Sequence, residues 1–155
     1  RFMLSVDVPY PSADEEMEIV RTTTIGAQPE LHKILSPERI IALQDIILRV
    51  PVAPHVLSYA VRLARASRPG EPSAPQKVRD FVSWGAGPRA SQYLVLGAKS
   101  RAILEGRFAA SVDDVRALAP AVLCHRIVPN FRAEAEGVTT RALVDELLSR
   151  VPIES

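Results

Sequence analysis

A chain of 155 residues with a net charge of +1 has the length of one compact domain, enough to bury roughly 70% of the surface its unfolded form would expose. Its 19 Lys and Arg are interspersed with 18 Asp and Glu, so no charge bias marks the whole domain as a polyanion binder. Cys124 is the only cysteine, which excludes an internal disulfide and a cysteine-rich metal cage. No apolar run is long enough to span a bilayer, and no signal-peptide pattern follows Arg1, so the chain reads as cytoplasmic. A first residue other than Met reads as a piece excised from something longer.

Residues 2–8 alternate, with Phe2, Leu4, Val6 and Val8 on one side and Met3, Ser5 and Asp7 on the other, and are predicted to form a short strand ended by Pro9 and Pro11. A lone strand must pair with something, and no partner lies nearby in the sequence. Ser12-Ala13-Asp14-Glu15 has capping-box spacing and opens a helix to about residue 23. Ser36-Pro37-Glu38 opens the next, in which Ile40, Leu43, Ile47 and Val50 recur at helical spacing. A third helix is predicted over residues 53–67, with Leu57, Val61 and Ala64 on one face and Arg62, Arg65 and Arg68 on another. The arginine triple reads as a solvated face; its functional alternative is contact with an acidic or phosphate-bearing neighbour. Residues 69–75, rich in Pro, Gly and Ser, are predicted to be a mobile loop.

Gly85-Ala86-Gly87-Pro88-Arg89-Ala90 then puts an arginine on the first turn of a long helix, predicted over residues 88–105. Pro88 suits the first helical position, because its φ is already helical and its missing N–H would have no intrahelical partner. Arg89 projects from a helix N-terminus, where free N–H groups and the dipole favour an anion, and a guanidinium there has the chemistry of a phosphate contact. Taken alone, Gly-x-Gly-Pro is more simply loop-and-cap punctuation. Gly106 closes this helix. Ser111-Val112-Asp113-Asp114 caps a short helix that Pro120 restarts or kinks, and Asp113 and Asp114 read as dipole compensation rather than paired catalytic carboxylates. Thr139 or Thr140 caps a final helix with Leu143, Val144, Leu147, Leu148 and Val151 as its stripe. The expected fold is mainly α, a helical bundle with one or two short extended pieces.

Trp84 reads as a packing anchor, with lining of an adenine pocket as the alternative. Cys124 and His125 make no metal site, because His32 and His55 lie in other segments without ligand spacing. Adjacent helical residues also point apart, so a Cys-His catalytic pair is disfavoured and His125-Arg126 reads as a structural or domain-interface element. The chain has no Gly-x-x-x-x-Gly-Lys-Ser/Thr loop and no acidic cluster after a strand that could hold Mg²⁺. Phosphoryl transfer needs both, and this chain shows neither.

An ordered series of short motifs resembles the C-terminal part of MoxR-type AAA+ ATPases nearly end to end. The series is Arg1-Phe2, Tyr10-Pro11 with Glu15-Glu16, Tyr59-Ala60-Val61-Arg62-Leu63, the Gly85 to Ala90 run, Leu104-Glu105-Gly106-Arg107, Ala117-Leu118-Ala119-Pro120, His125-Arg126 and Glu134-Ala135-Glu136-Gly137. Gly87 stands where the family's Gly-Ala-Ser-Pro-Arg-Ala has serine, and Ser67-Arg68 where it tends to have Thr-Arg. The resemblance implies an AAA+ lid, with residues 1–10 as the last strand of an ATPase core and residues 11–155 as the helical lid domain. It implies ATP and magnesium as ligands of the whole protein, with magnesium ligands outside this chain. Arg89 matches the sensor 2 arginine over the γ-phosphate, with Gly87 and Pro88 beside it, and Arg1 matches a candidate arginine finger acting on a neighbouring subunit. The implied partners are the upstream core, neighbouring subunits of a homo-oligomeric ring, and a client protein remodelled in chaperone-like fashion, with no membrane. The alternative is a stand-alone helical interaction module, or a nucleic-acid binder using Arg62, Arg65 and Arg68. Near-zero net charge and the lack of an aromatic-rich basic patch weigh against nucleic acid.

Overall fold

A computed structural model describes residues 2–26 and 31–153. In chain order the helices are α1 (Ala13–Thr23), α2 (Pro37–Arg49), α3 (Pro54–Ala66), α4 (Gln76–Phe81), α5 (Pro88–Leu104), α6 (Val112–Leu123), α7 (Phe131–Ala135) and α8 (Thr140–Arg150). Two short strands, β1 (Val82–Trp84) and β2 (Val128–Pro129), pair antiparallel. The mainly helical bundle is the one expected.

Side-chain caps set the helix starts. Ser12 and Glu15 form the expected capping box at α1, with the Ser12 N–H donating to the Glu15 carboxylate at 2.8 Å. Ser36 caps α2 with Pro37 in its first turn, Ser111 caps α6, and Thr139 rather than Thr140 caps α8. Pro120 neither restarts nor ends α6, which runs through it as one helix. The ring removes a single N–H donor, the one that would have bonded the carbonyl four residues back, and the helix continues past it for one more turn.

The core lies where α3, α5, α6 and α8 meet, around Tyr59, Leu63, Leu94, Val115, Leu123, Leu143 and Leu147, all fully buried. Alanines fill the crossings: Ala60, Ala64, Ala90, Ala98, Ala102 and Ala119 are also fully buried. At Gly97 a Cβ would stand 2.9 Å from Leu118 Cδ1, so α5 and α6 approach there too closely for a side chain.

Three expectations change. Residues 2–8 form no strand, and Ser5 alone among them bonds another described backbone segment, donating to Ala121 O at 2.8 Å. Alternation fixes the two faces of a segment, but a ladder requires a neighbouring edge. The face of α3 is rotated: Val56, Tyr59, Ala60 and Leu63 join the core, while Leu57 and Val61 stay 43% and 44% exposed. These two instead line an apolar groove of about 480 Å³ with Tyr93 and Leu96 of α5. The loop expected to be mobile is tied down, with Glu71 paired to Arg65 at 2.8 Å and Arg79 donating to Pro72 O at 2.9 Å and Ala74 O at 3.1 Å. By contrast, α1 and α2 bury nothing, leaving Met17, Ile19 and Val20 and, on α2, Ile40, Ile41 and Leu43 exposed.

Candidate functional site

The site is built from the C-terminal end of α3. Ser67, the residue that ends it, is fully buried. Its hydroxyl donates to Ala64 O at 2.7 Å and accepts the Ala86 N–H at 2.8 Å. The next residue, Arg68, donates from Nε to Ala86 O at 2.9 Å. Both backbone groups of Ala86 are thus held by consecutive side chains eighteen and nineteen positions away in sequence. This contact requires glycine at residue 85, where a Cβ would fall 2.3 Å from Ser67 O and 2.6 Å from Arg68 Cα.

The clamped loop fixes where α5 begins. Gly87 is the N-cap with extended backbone, Pro88 occupies the first turn, no side chain caps the helix, and the first turn carries no acid. Pro88 has no N–H to offer and the Ala90 N–H is accepted by Gly87 O at 2.9 Å, so the start of this 17-residue helix has no side-chain cap and keeps the positive end of its dipole. Arg89 stands exposed at this end and takes no part in the side-chain hydrogen bonds or ion pairs of the described residues. Gly87, Pro88 and Arg89 are consecutive at the start of α5. Arg1 falls outside the described residues.

Trp84 is not a packing anchor. It is 72% exposed and, with Arg68, Gly70 and Pro88, lines a groove of about 520 Å³ beside the start of α5. Strand alternation would have put it on the buried face with Val82, but the register shifts between Val82 and Trp84 and turns the indole out.

The arginine triple is spent internally. Arg62 donates to Ser58 Oγ at 2.9 Å and to the carbonyls of Pro152 and Ile153 at 3.2 Å, Arg65 pairs with Glu71, and Arg68 holds Ala86.

A second cluster lies at the far end of α5. Gly106, with φ +71°, reverses the chain, and Arg107 returns to meet Asp114, which is 1% exposed. The guanidinium engages both carboxylate oxygens, with NH1 to Oδ2 at 2.8 Å, while the Ser111 N–H donates to the same oxygen at 2.8 Å and Arg101 Nε stands 3.3 Å from Oδ1. The Arg107 hydrogen bond outweighs burial and holds the Asp114 carboxyl well below the usual carboxylate range. Asp114 thus does more than offset a dipole: it joins the α5 exit to the α6 start. Sequence reasoning missed this hub and the Ser67-Arg68 clamp, although Leu-Glu-Gly-Arg and Ser-Arg both stood out as motifs.

His125 and Arg126 meet the segment ahead of α1, and Arg126 also lies over the Tyr93 ring at 5.1 Å. Cys124 is half-buried, and burial pushes its thiol up, away from the reactive thiolate. Among the described residues no three His, Cys, Asp or Glu side chains gather as a metal site, and no helix is long and apolar enough to cross a membrane.

The AAA lid domain family matches residues 74–147. The chain is 32% identical to Chaperone MoxR1 of Mycobacterium tuberculosis over 153 residues, covering 99% of this chain and 40% of that protein. It is 30% identical to the uncharacterized protein YeaC of Bacillus subtilis over 159 residues, covering 99% of this chain and 45% of the relative. The crystal structure of a putative ATPase from Cytophaga hutchinsonii superposes with a TM-score of 0.90 at 27% identity, covering 100% of this chain and 47% of that one. The chain therefore spans less than half the length of these relatives.

Proposed function

Because this chain carries an AAA lid domain and is homologous to the MoxR chaperones, we propose that it closes over ATP held by an AAA+ core and couples hydrolysis to chaperone-like remodelling of a client protein in a cytoplasmic oligomeric ring. In this reading residues 1–10 finish the core, residues 11–155 are the lid, and Arg1 serves a neighbouring subunit's site as an arginine finger. The exposed apolar side chains of α1 and α2 suit helices that have neighbours outside this chain.

The observation that carries the reading is Arg89, a guanidinium without an ion-pair partner among the described residues, on a helix start that no side chain caps and whose approach is clamped by Ser67 and Arg68. Charge builds on the γ-phosphate oxygens during transfer. A guanidinium brought beside them by a positioned helix start would stabilise that charge. Gly87 and Pro88 present the helix start beside it, and the exposed Trp84 face and the apolar groove next to it suit a flat base. The described residues offer magnesium no ligand set, and in this reading the core supplies it.

In the longer ATP-hydrolysing protein, Arg89→Ala should lower kcat by about 100-fold or more while ATP binding is largely retained. Unchanged turnover would remove the sensor role.

A further inference from the structure

The C-terminal end of α6 is satisfied in an unusual way. A helix leaves its last four carbonyls without intrahelical donors. Here Pro120 O takes the Cys124 N–H at 3.1 Å, and Leu123 O takes the N–H groups of Arg126 and Ile127 at 2.9 and 3.1 Å. The remaining two are supplied from outside the helix. Ala121 O accepts the Ser5 N–H at 2.8 Å, and Val122 O accepts the Arg126 guanidinium. The same guanidinium donates to Met3 O at 3.2 Å and to Phe2 O. One side chain therefore ties the segment ahead of α1 to the end of α6.

Arg126 also reaches α5. Its guanidinium lies over the Tyr93 ring, 5.1 Å from the centroid. Tyr93 stands four residues after Arg89, so the two share a face of α5 one turn apart. In this way the segment leading into the lid, the end of α6 and the Arg89 face of α5 converge on one guanidinium.

We infer that Arg126 is a positioning residue for the proposed ATPase reaction, latching residues 2–5 to the Arg89 face of α5 so that movement of that segment moves Arg89. The inference rests on the reading of Arg89 as the γ-phosphate contact. Lysine cannot replace Arg126, because a single ammonium cannot bridge carbonyls on two segments and lie flat on a ring at the same time. Losing this geometry misplaces Arg89 without removing it, which costs turnover more than binding.

The test has two arms. In the 155-residue chain, hydrogen exchange should find the Ser5 amide protected, and Arg126→Met and Arg126→Lys should each speed its exchange at least about tenfold. The amides of α5 should be unchanged. In the longer ATP-hydrolysing protein, Arg126→Lys should lower kcat by about 10- to 100-fold with KM for ATP nearly unchanged. Tyr93→Leu should do the same while leaving Ser5 protected. An unprotected Ser5 amide in the wild type would overturn the latch. Wild-type turnover in Arg126→Lys and Tyr93→Leu, alongside inactive Arg89→Ala, would overturn the inference and leave the sensor reading standing. Wild-type turnover in Arg89→Ala would overturn both.

Discussion

Replacing Gly85 with alanine tests whether the loop before Arg89 is held as described. The added Cβ would fall 2.3 Å from Ser67 O and 2.6 Å from Arg68 Cα. Both are backbone atoms at the C-terminal end of α3, so neither can turn aside as a side-chain tip could. Reaching ordinary contact requires the loop to move out by about 1 Å. That carries the Ala86 N–H beyond hydrogen-bonding range of Ser67 Oγ and lengthens the Arg68 bond to Ala86 O. Overpacking costs about 1–3 kcal/mol, and the two strained bonds about 1 kcal/mol each, so a loss of about 4 kcal/mol is expected. For a domain of this size that is a drop in Tm of about 8–16 °C. Thermal unfolding of the 155-residue chain measures it. Gly87→Ser is the control: a Cβ there meets nothing within 4 Å, and its hydroxyl can cap α5. It should stabilise by a few tenths of a kcal/mol, roughly the serine-over-glycine preference at an N-cap. A Gly85→Ala melt within about 2 °C of wild type would refute the clamp.

Two further predictions follow from other parts of the molecule. Asp114→Ala removes the carboxylate from a pair in which Asp114 is buried and Arg107 only partly so, and should cost about 3 kcal/mol in urea unfolding at pH 7. Because the folded carboxyl titrates below its unfolded value, its contribution is complete above about pH 4 and fades as pH falls through the native value. The gap between wild type and Asp114→Ala should therefore narrow from pH 4 toward pH 2, and a gap constant over that range would contradict the pairing. Trp84, the single tryptophan, should be quenched by acrylamide as an exposed indole in the isolated chain. In the longer protein it should be shielded on addition of ATP. Equal quenching with and without nucleotide would sever the groove beside α5 from nucleotide binding.

Helix starts were legible in the sequence wherever a side chain caps its own backbone three residues on, as at Ser12, Ser36, Ser111 and Thr139. Arg89 at the start of α5 was legible without a side-chain cap, since Pro88 and the flanking glycines also act locally. The clamp was hidden because Ser67 and Arg68 act on Ala86 across a turn, a short helix and a strand. Nothing in their own neighbourhood distinguishes a helix-ending serine from one that also accepts a distant N–H. The face of α3 was misread because Leu57 and Val61 make as good a stripe as Val56 and Leu63, and only the positions of α5 and α8 decide between them. Trp84 was misread because a large aromatic is by default a packing residue, and nothing local shows the register shift beside it that accompanies its exposure. The short elements α4 and α7 span too few residues to show a period.

The central claim is that Arg89 contacts the transferring phosphate rather than merely starting a helix. Single-turnover hydrolysis of bound ATP by the longer protein, wild type against Arg89→Ala, tests it with binding and product release set aside. The account predicts that the chemical step slows by about 100-fold or more in the variant while ATP still loads the site. Equal single-turnover rates would mean that the guanidinium at the start of α5 plays no part in the reaction.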